Sequence, residues 1–159
     1  YQLKVGVHVE QLTTTSSSGT AAINLVGNEF ANTITGNAGN NLIDGKGGAD
    51  LLRGYLGKDV FLFDTALGGG NTDTIADFNV ADDQIRLSKS VFHGLALGLV
   101  STSAFHVGKA AADSSDRIIY DPATGRIFFD DDGVGSHAAI HFATVTPNLS
   151  LTNADFFVA

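Results

Sequence analysis

The sequence contains no cysteine, no methionine and no tryptophan, and only two prolines in 159 residues. Without cysteine there are no disulfide staples and no thiolate metal ligands, and the redox compartment is left unmarked. Without Met or Trp the core must be assembled from Leu, Ile, Val and the 11 Phe residues. Positive charge is scarce too: 9 Lys and Arg stand against 17 Asp and Glu, a formal net charge of −8. A nucleic-acid surface needs a basic face, so no nucleic-acid partner is expected. An acidic balance of this size suits a cation-binding protein that would repel itself without its cation. No apolar run approaches the roughly 18 residues of a membrane span, so no transmembrane segment is expected. The N-terminal YQLKVGVHVEQL has neither the apolar stretch nor the cleavage site of a signal peptide. Lacking an initiating Met, the chain reads as a fragment of something longer, about the size of one domain or one elongated module.

What is abundant is glycine, and it is in phase. From Gly27 the chain divides without gaps into GNEFANTIT, GNAGNNLID, GKGGADLLR and GYLGKDVFL. Gly27, Gly36, Gly45 and Gly54 hold the first place of each unit. Asn32, Asn41, Asp50 and Asp59 hold the sixth, and Ile34, Ile43, Leu52 and Phe61 the eighth. One unit earlier, SGTAAINLV keeps the apolar register at Leu25. A nine-residue unit with one inward apolar residue cannot form a core alone, so copies must stack to bury a continuous column. The last three residues of each unit read as a very short strand. The first six read as a turn in which glycine permits positive φ and close approach of carbonyls.

If two units complete one coil, turns two units apart lie on the same edge at about 4.7–4.9 Å. Turn 27–32 then faces turn 45–50, and turn 36–41 faces turn 54–59, giving two candidate sites. Carbonyls converging with a carboxylate or amide form a set of hard oxygens suited to Ca²⁺, which takes about 6–8 of them. Two readings stand beside this one. A Gly/Asn-rich linker accounts for the composition but not the phase, and a metal-free β-solenoid draws on the neutrality of Asn32 and Asn41.

These units resemble the G-G-x-G-x-D-x-U-x nonapeptide of the RTX (repeats-in-toxin) proteins. The segments VEQL with GTAAINLVGN, DVFLFDTALGGGNTDTIADFNVADDQIRLS, DRIIYDPATGRIFFDDDGVGSHAAIHFATV and LTNADFFVA resemble the flanking parts of that family, so the resemblance covers nearly the whole chain. It implies an all-β fold, a parallel β-roll (a right-handed β-solenoid) with a C-terminal β-rich cap containing a hairpin. It also implies Ca²⁺ as cofactor and export by the type I secretion machinery, hence a secreted, extracellular or cell-surface location in a Gram-negative bacterium. By resemblance the first site would draw on Asn28, Phe30 and Asn32 with Gly45, Gly47 and Asp50. The second would draw on Asn37, Gly39 and Asn41 with Gly54, Leu56 and Asp59. Phe30 stands where Gly is usual, and Asn32 and Asn41 replace Asp, so each site loses a formal charge and affinity should fall.

The expected organisation is a preceding coil at 1–26, repeats at 27–62, an exit segment at 63–90 and the cap at 91–159. In the exit segment Asp73, Asp77 and Asp83 are candidate further ligands, against a reading as solvated turn carboxylates. Ile75, Phe78, Ile85 and Leu87 suggest strands that close the roll. RIIYDPATGRIFFD reads as a hairpin around Asp-Pro-Ala-Thr-Gly. In the less readable 91–112 a short helix at Ser101 to Ala104 and a strand at Phe105 to Val107 are expected.

Other chemistry is weak. Asp130, Asp132 and Gly133 resemble the start of an EF-hand loop, but His141 occupies the twelfth position, where a Glu is required. His137 and His141 have the spacing of a zinc-binding helix, without its Glu and in a strand-like segment, and read as solvent-facing strand residues. No catalytic constellation is present, and the function expected is a non-catalytic module that folds on Ca²⁺ binding after export. The alternative is a Ca²⁺-stiffened module that binds polysaccharide or serves adhesion. The terminal ADFFVA reads both as a covering strand and as part of an export signal.

Overall fold

The computed structural model describes residues 1–159 and contains strands, turns and two single-turn 3₁₀ segments. The repeat period sets the first half. Its strands are β1 (Gln11–Thr13), β2 (Asn24–Val26), β3 (Thr33–Thr35), β4 (Leu42–Asp44), β5 (Leu51–Arg53), β6 (Val60–Phe63), β7 (Asp73–Ile75) and β8 (Gln84–Leu87). Each is too short to hold a core, so alternate strands stack in parallel: β1-β3-β5-β7 on one face and β2-β4-β6-β8 on the other. The register advances by one coil per strand, placing Leu25 beside Ile43, Ile43 beside Phe61 and Phe61 beside Ile85. On the opposite face Leu12, Ile34, Leu52 and Ile75 align in the same way. Ile34, Ile43, Leu52, Phe61, Ile75 and Ile85 are fully buried. Thus the eighth place of every unit points into the space between the two sheets. This is the parallel β-roll that the family resemblance implies, with the stacking that the period requires.

The ends of the roll are treated differently. At the start, Tyr1–Leu3 runs alongside β2, with Val26 N–H donating to Tyr1 O and Leu3 N–H to Val26 O, both at 2.9 Å. At the far end both sheets continue into residues 98–158. The added strands are β9 (Gly98–Leu99), β10 (Phe105–Val107), β11 (Ile118–Asp121), β12 (Arg126–Phe129), β13 (Ile140–Thr144) and β14 (Phe156–Val158). β13 pairs in parallel with β7, and β14 in parallel with β8. The two sheets therefore run on as β7-β13-β12-β11-β10 and β8-β14-β9.

The hairpin forms where its turn composition places it, between β11 and β12, with Ile118 opposite Phe129 and Gly125 at φ 75°. A 3₁₀ turn at Thr102–Ala104 leads into β10 as expected. Ile75, Ile85 and Leu87 lie in the closing strands, whereas Phe78 is buried from the turn between them. Phe92 packs edge-on against Phe129 and Phe142, with ring centroids 5.1 Å apart in each case. Where the roll's column ends, aromatic packing takes over the core. His137 departs from expectation: it lies in the exposed turn before β13, not in a strand, while His141 is half-buried within β13.

Candidate metal sites

The turns stack along two edges. Turns 27–32, 45–50 and 64–72 share one edge, and turns 36–41, 54–59 and 76–83 share the other. Along each edge the sixth-place side chains make a ladder. Asp50 Oδ1 accepts the backbone N–H of Asn32 at 2.6 Å, and Asp73 Oδ1 that of Asp50 at 3.0 Å. On the other edge Asp59 Oδ1 accepts from Asn41 N–H at 2.7 Å, and Asp83 Oδ1 from Asp59 N–H at 2.9 Å. Each carboxylate thus ties its own coil to the preceding one. Asp77 adds to the second edge by accepting the N–H groups of Gly54 and Tyr55, both at 3.0 Å.

First-place glycine is required for a reason the sequence pattern only half exposes. A Cβ at Gly45 would overlap Asp50 Oδ2, and one at Gly54 would overlap Asp59 Oδ2. Positive φ occurs elsewhere in these turns: at Lys46 (68°) and Gly48 (101°), and at Tyr55 (75°) and Gly57 (114°). Glycine at the first place makes room for the folded-back carboxylate, and the turn itself bends at the second and fourth places.

The carboxylates are held in an unusual state. Asp50, Asp59, Asp73 and Asp83 are all buried. The second oxygen of Asp50 and that of Asp59 (Oδ2 in each) is buried and has no hydrogen-bond partner. Burial, and then the neighbouring acidic groups, push Asp59 up to about 6. Burial likewise raises Asp50, Asp73 and Asp83, and the Asp50 charge adds to the rise at Asp73. Buried carboxylate oxygens without a donor are expensive unless a cation or a proton reaches them. A hard, divalent, oxygen-seeking cation fits this donor set, and a soft metal does not, because no sulfur ligand exists.

Residues 26–61 match the family model of the RTX calcium-binding nonapeptide repeat, in four copies. This segment is an RTX repeat array. RTX nonapeptide repeats bind calcium ions, and the domains they build are non-catalytic calcium-binding modules typical of secreted proteins. Residues 26–61 are thus a calcium-binding repeat segment within the β-roll. Comparison with curated proteins finds no match.

Within the RTX array the candidate ligands lie as follows. Gly45, Gly47 and Asp50 stand in the turn stacked on Asn28, Phe30 and Asn32, and Gly54, Leu56 and Asp59 in the turn stacked on Asn37, Gly39 and Asn41. The carbonyl of Asn28 accepts the N–H of Gly47 at 3.0 Å. Phe30, where glycine is usual, stacks on His8 with ring centroids 4.2 Å apart. Leu56 projects into solvent. Asp73 and Asp83 sit directly beneath Asp50 and Asp59 in the two ladders, with Asp77 bracing the turn at Gly54.

One charged group went unnoticed in the sequence. Asp44, at the ninth place of the second unit, is buried and pairs with Lys46 Nζ at 2.9 Å, and the same ammonium reaches Asp64 at 2.7 Å. A carboxylate at a place normally occupied by a strand residue, followed two residues later by a Lys, was the available signal. Away from the roll, His137 Nδ1 lies 2.9 Å from Asp131 and 3.6 Å from Asp132 in an exposed turn. Those two partners hold the imidazolium form, raising His137 above its ordinary value.

Proposed function

We propose that the chain is a calcium-dependent folding and export module of a larger secreted bacterial protein, itself without catalytic activity. The observation that carries this reading is the pair of buried oxygens, Asp50 Oδ2 and Asp59 Oδ2, left without partners at stacked turns of the RTX array. Calcium bound at those oxygens would supply the missing counter-charge. In a cytosol poor in calcium the acidic turns repel, and ordering Gly-rich backbone costs entropy that a one-residue-wide column offsets poorly. Outside the cell, each ion at about 100-fold excess over its Kd stabilises the folded state by about 2.7 kcal/mol. Two ions would therefore supply a large share of a domain's roughly 5–15 kcal/mol.

The C-terminal strand fits the export half of the reading. Phe156 and Val158 are buried in β14 once the chain is folded, so type I machinery could read this segment only in the unfolded chain. The source would be a Gram-negative bacterium, with the folded module outside the cell or at its surface.

The test is far-UV circular dichroism of the chain in chelator and in millimolar calcium. Substantial disorder in chelator and recovery of β signal with calcium are expected; an unchanged spectrum refutes the switch. Removal of residues 156–159 should in addition abolish export by a type I system, and full export of the truncated chain would separate β14 from the signal.

A further inference from the structure

The four stacked pairs of turns are not equivalent. Asn32 faces Asp50 and Asn41 faces Asp59, so these two pairs carry one amide and one acid each. Asp50 over Asp73 and Asp59 over Asp83 carry two acids each.

The amide turns are closed by their own hydrogen bonds. Asn32 Oδ1 accepts Asn28 N–H at 3.0 Å, while its Nδ2 donates to Val9 O at 2.9 Å. Asn41 Oδ1 accepts Asn37 N–H at 2.8 Å, while its Nδ2 donates to Asn37 Oδ1 at 3.0 Å. Both ends of each amide are engaged. Asn28 and Asn37 accept the N–H two residues on, from Phe30 and Gly39, which closes each turn a second time. Neither turn has a residue at positive φ, whereas the turns of Asp50 and Asp59 each have two.

The turns of Asp50 and Asp59 are left open at one carboxylate oxygen each, whereas Asp83 Oδ2 accepts Asn79 N–H at 2.9 Å. Within the four ladder acids the unpartnered buried oxygens are Asp50 Oδ2 and Asp59 Oδ2 (Asp64 Oδ1 and Asp132 Oδ1 are others elsewhere), and none of Asp50, Asp59, Asp73 and Asp83 joins a salt bridge. The nearby ammonium of Lys46 is turned to Asp44 and Asp64 instead. Two adjacent carboxylates match the charge of a divalent ion, and an amide with both ends occupied offers it little.

We infer that calcium occupies only the acid pairs: one ion between Asp50 and Asp73, one between Asp59 and Asp83, and none at the Asn32/Asp50 and Asn41/Asp59 pairs. This rests on the calcium reading above and adds to it a division of labour within the roll. The first two repeats are locked by amide hydrogen bonds that need no metal. Each ion sits where β7 or β8 begins, with one acid (Asp50 or Asp59) inside the matched repeats and the other (Asp73 or Asp83) beyond them, and β7 and β8 are the strands that receive β13 and β14. The amide turns serve as a metal-free end to the roll.

The experiment is isothermal titration of the full chain with calcium chloride after chelator treatment. The native chain is expected to bind two ions. Asp73→Asn and Asp83→Asn keep an acceptor for the N–H above them, and each should remove one ion or weaken it tenfold or more. The double variant Asn32→Asp/Asn41→Asp opens the amide turns and should raise the number to four. Four ions on the native chain, two ions of unchanged affinity on Asp73→Asn/Asp83→Asn, or no added ion on Asn32→Asp/Asn41→Asp would each overturn the division while leaving calcium binding intact. No binding by the native chain at millimolar calcium would overturn the calcium reading itself.

Discussion

Asp50 Oδ1 reaches the backbone N–H of Asn32, 18 residues earlier, at 2.6 Å, and so joins one coil of the roll to the next. The same side chain therefore has two duties, one oxygen for the backbone and one that is buried and free. Asp50→Asn keeps an acceptor for Asn32, and Asp50→Ala leaves that buried N–H without a partner, a loss of about 1–3 kcal/mol. Urea denaturation at saturating calcium should rank the native chain above Asp50→Asn and Asp50→Asn above Asp50→Ala, with about that gap between the two variants. Coincident midpoints for the variants would mean that the inter-coil hydrogen bond contributes nothing.

The central column makes a sharper demand on packing. Phe61 is fully buried between Ile43 and Ile85 and meets Phe78 at a ring-centroid distance of 6.1 Å. Phe61→Ala should cost about 3–5 kcal/mol, and Ile43→Val about 0.5–1.5 kcal/mol. Against a total of roughly 5–15 kcal/mol the first change should leave the roll marginal even with calcium. Thermal unfolding followed by circular dichroism reads both.

The column was legible because a period of nine with one apolar place leaves a single way to bury it. Leu25, Ile34, Ile43, Leu52 and Phe61 all lie where that period puts them. The stacking of turns two units apart followed from the same arithmetic. The pairing of β13 with β7 and of β14 with β8 had no local signal, since it joins residues roughly 70 apart through ordinary β-rich sequence. Positive φ and close approach of carbonyls explain the turn glycines from sequence, but at Gly45 and Gly54 the space is taken by a neighbouring carboxylate. The Asp44–Lys46–Asp64 cluster escaped notice because Asp64 comes within reach of Lys46 only when the coils stack.

Tyr55 and Lys46 occupy the same place in successive turns, both at positive φ, and they should respond oppositely to replacement by glycine. A non-glycine residue there carries a steric penalty of about 1–2 kcal/mol that glycine lacks. The partly exposed Tyr55 ring lies beside Arg53, whose guanidinium is 5.8 Å from the ring centroid, and the Tyr55 N–H bond to Asp77 would survive in glycine. Tyr55→Gly should therefore raise stability at saturating calcium by up to about 1 kcal/mol. Lys46→Gly also removes the ammonium held between Asp44 and Asp64 and should be neutral or destabilising. Thermal melts of the two variants side by side decide the matter; equal gains would show that the Lys46 ion pairs carry no weight.

The raised carboxyls give the calcium-free chain a distinctive dependence on pH. Burial lifts Asp59 to about 6 in the folded state, and Asp50, Asp73 and Asp83 shift in the same direction. In the unfolded chain the same groups titrate near the ordinary Asp value of about 3.9. The folded state thus binds protons more tightly, and its stability without calcium is greatest below about pH 4 and falls as pH rises through about 6. In chelator, acidification from pH 7.5 to 5 should increase the β signal, the reverse of what surface carboxylates paired with lysines would give. With calcium present the proton becomes a competitor, so the calcium concentration at half-folding should rise as pH falls. Circular dichroism titrations at three pH values test both statements, and a calcium midpoint independent of pH would show that the buried carboxylates do not hold the ion.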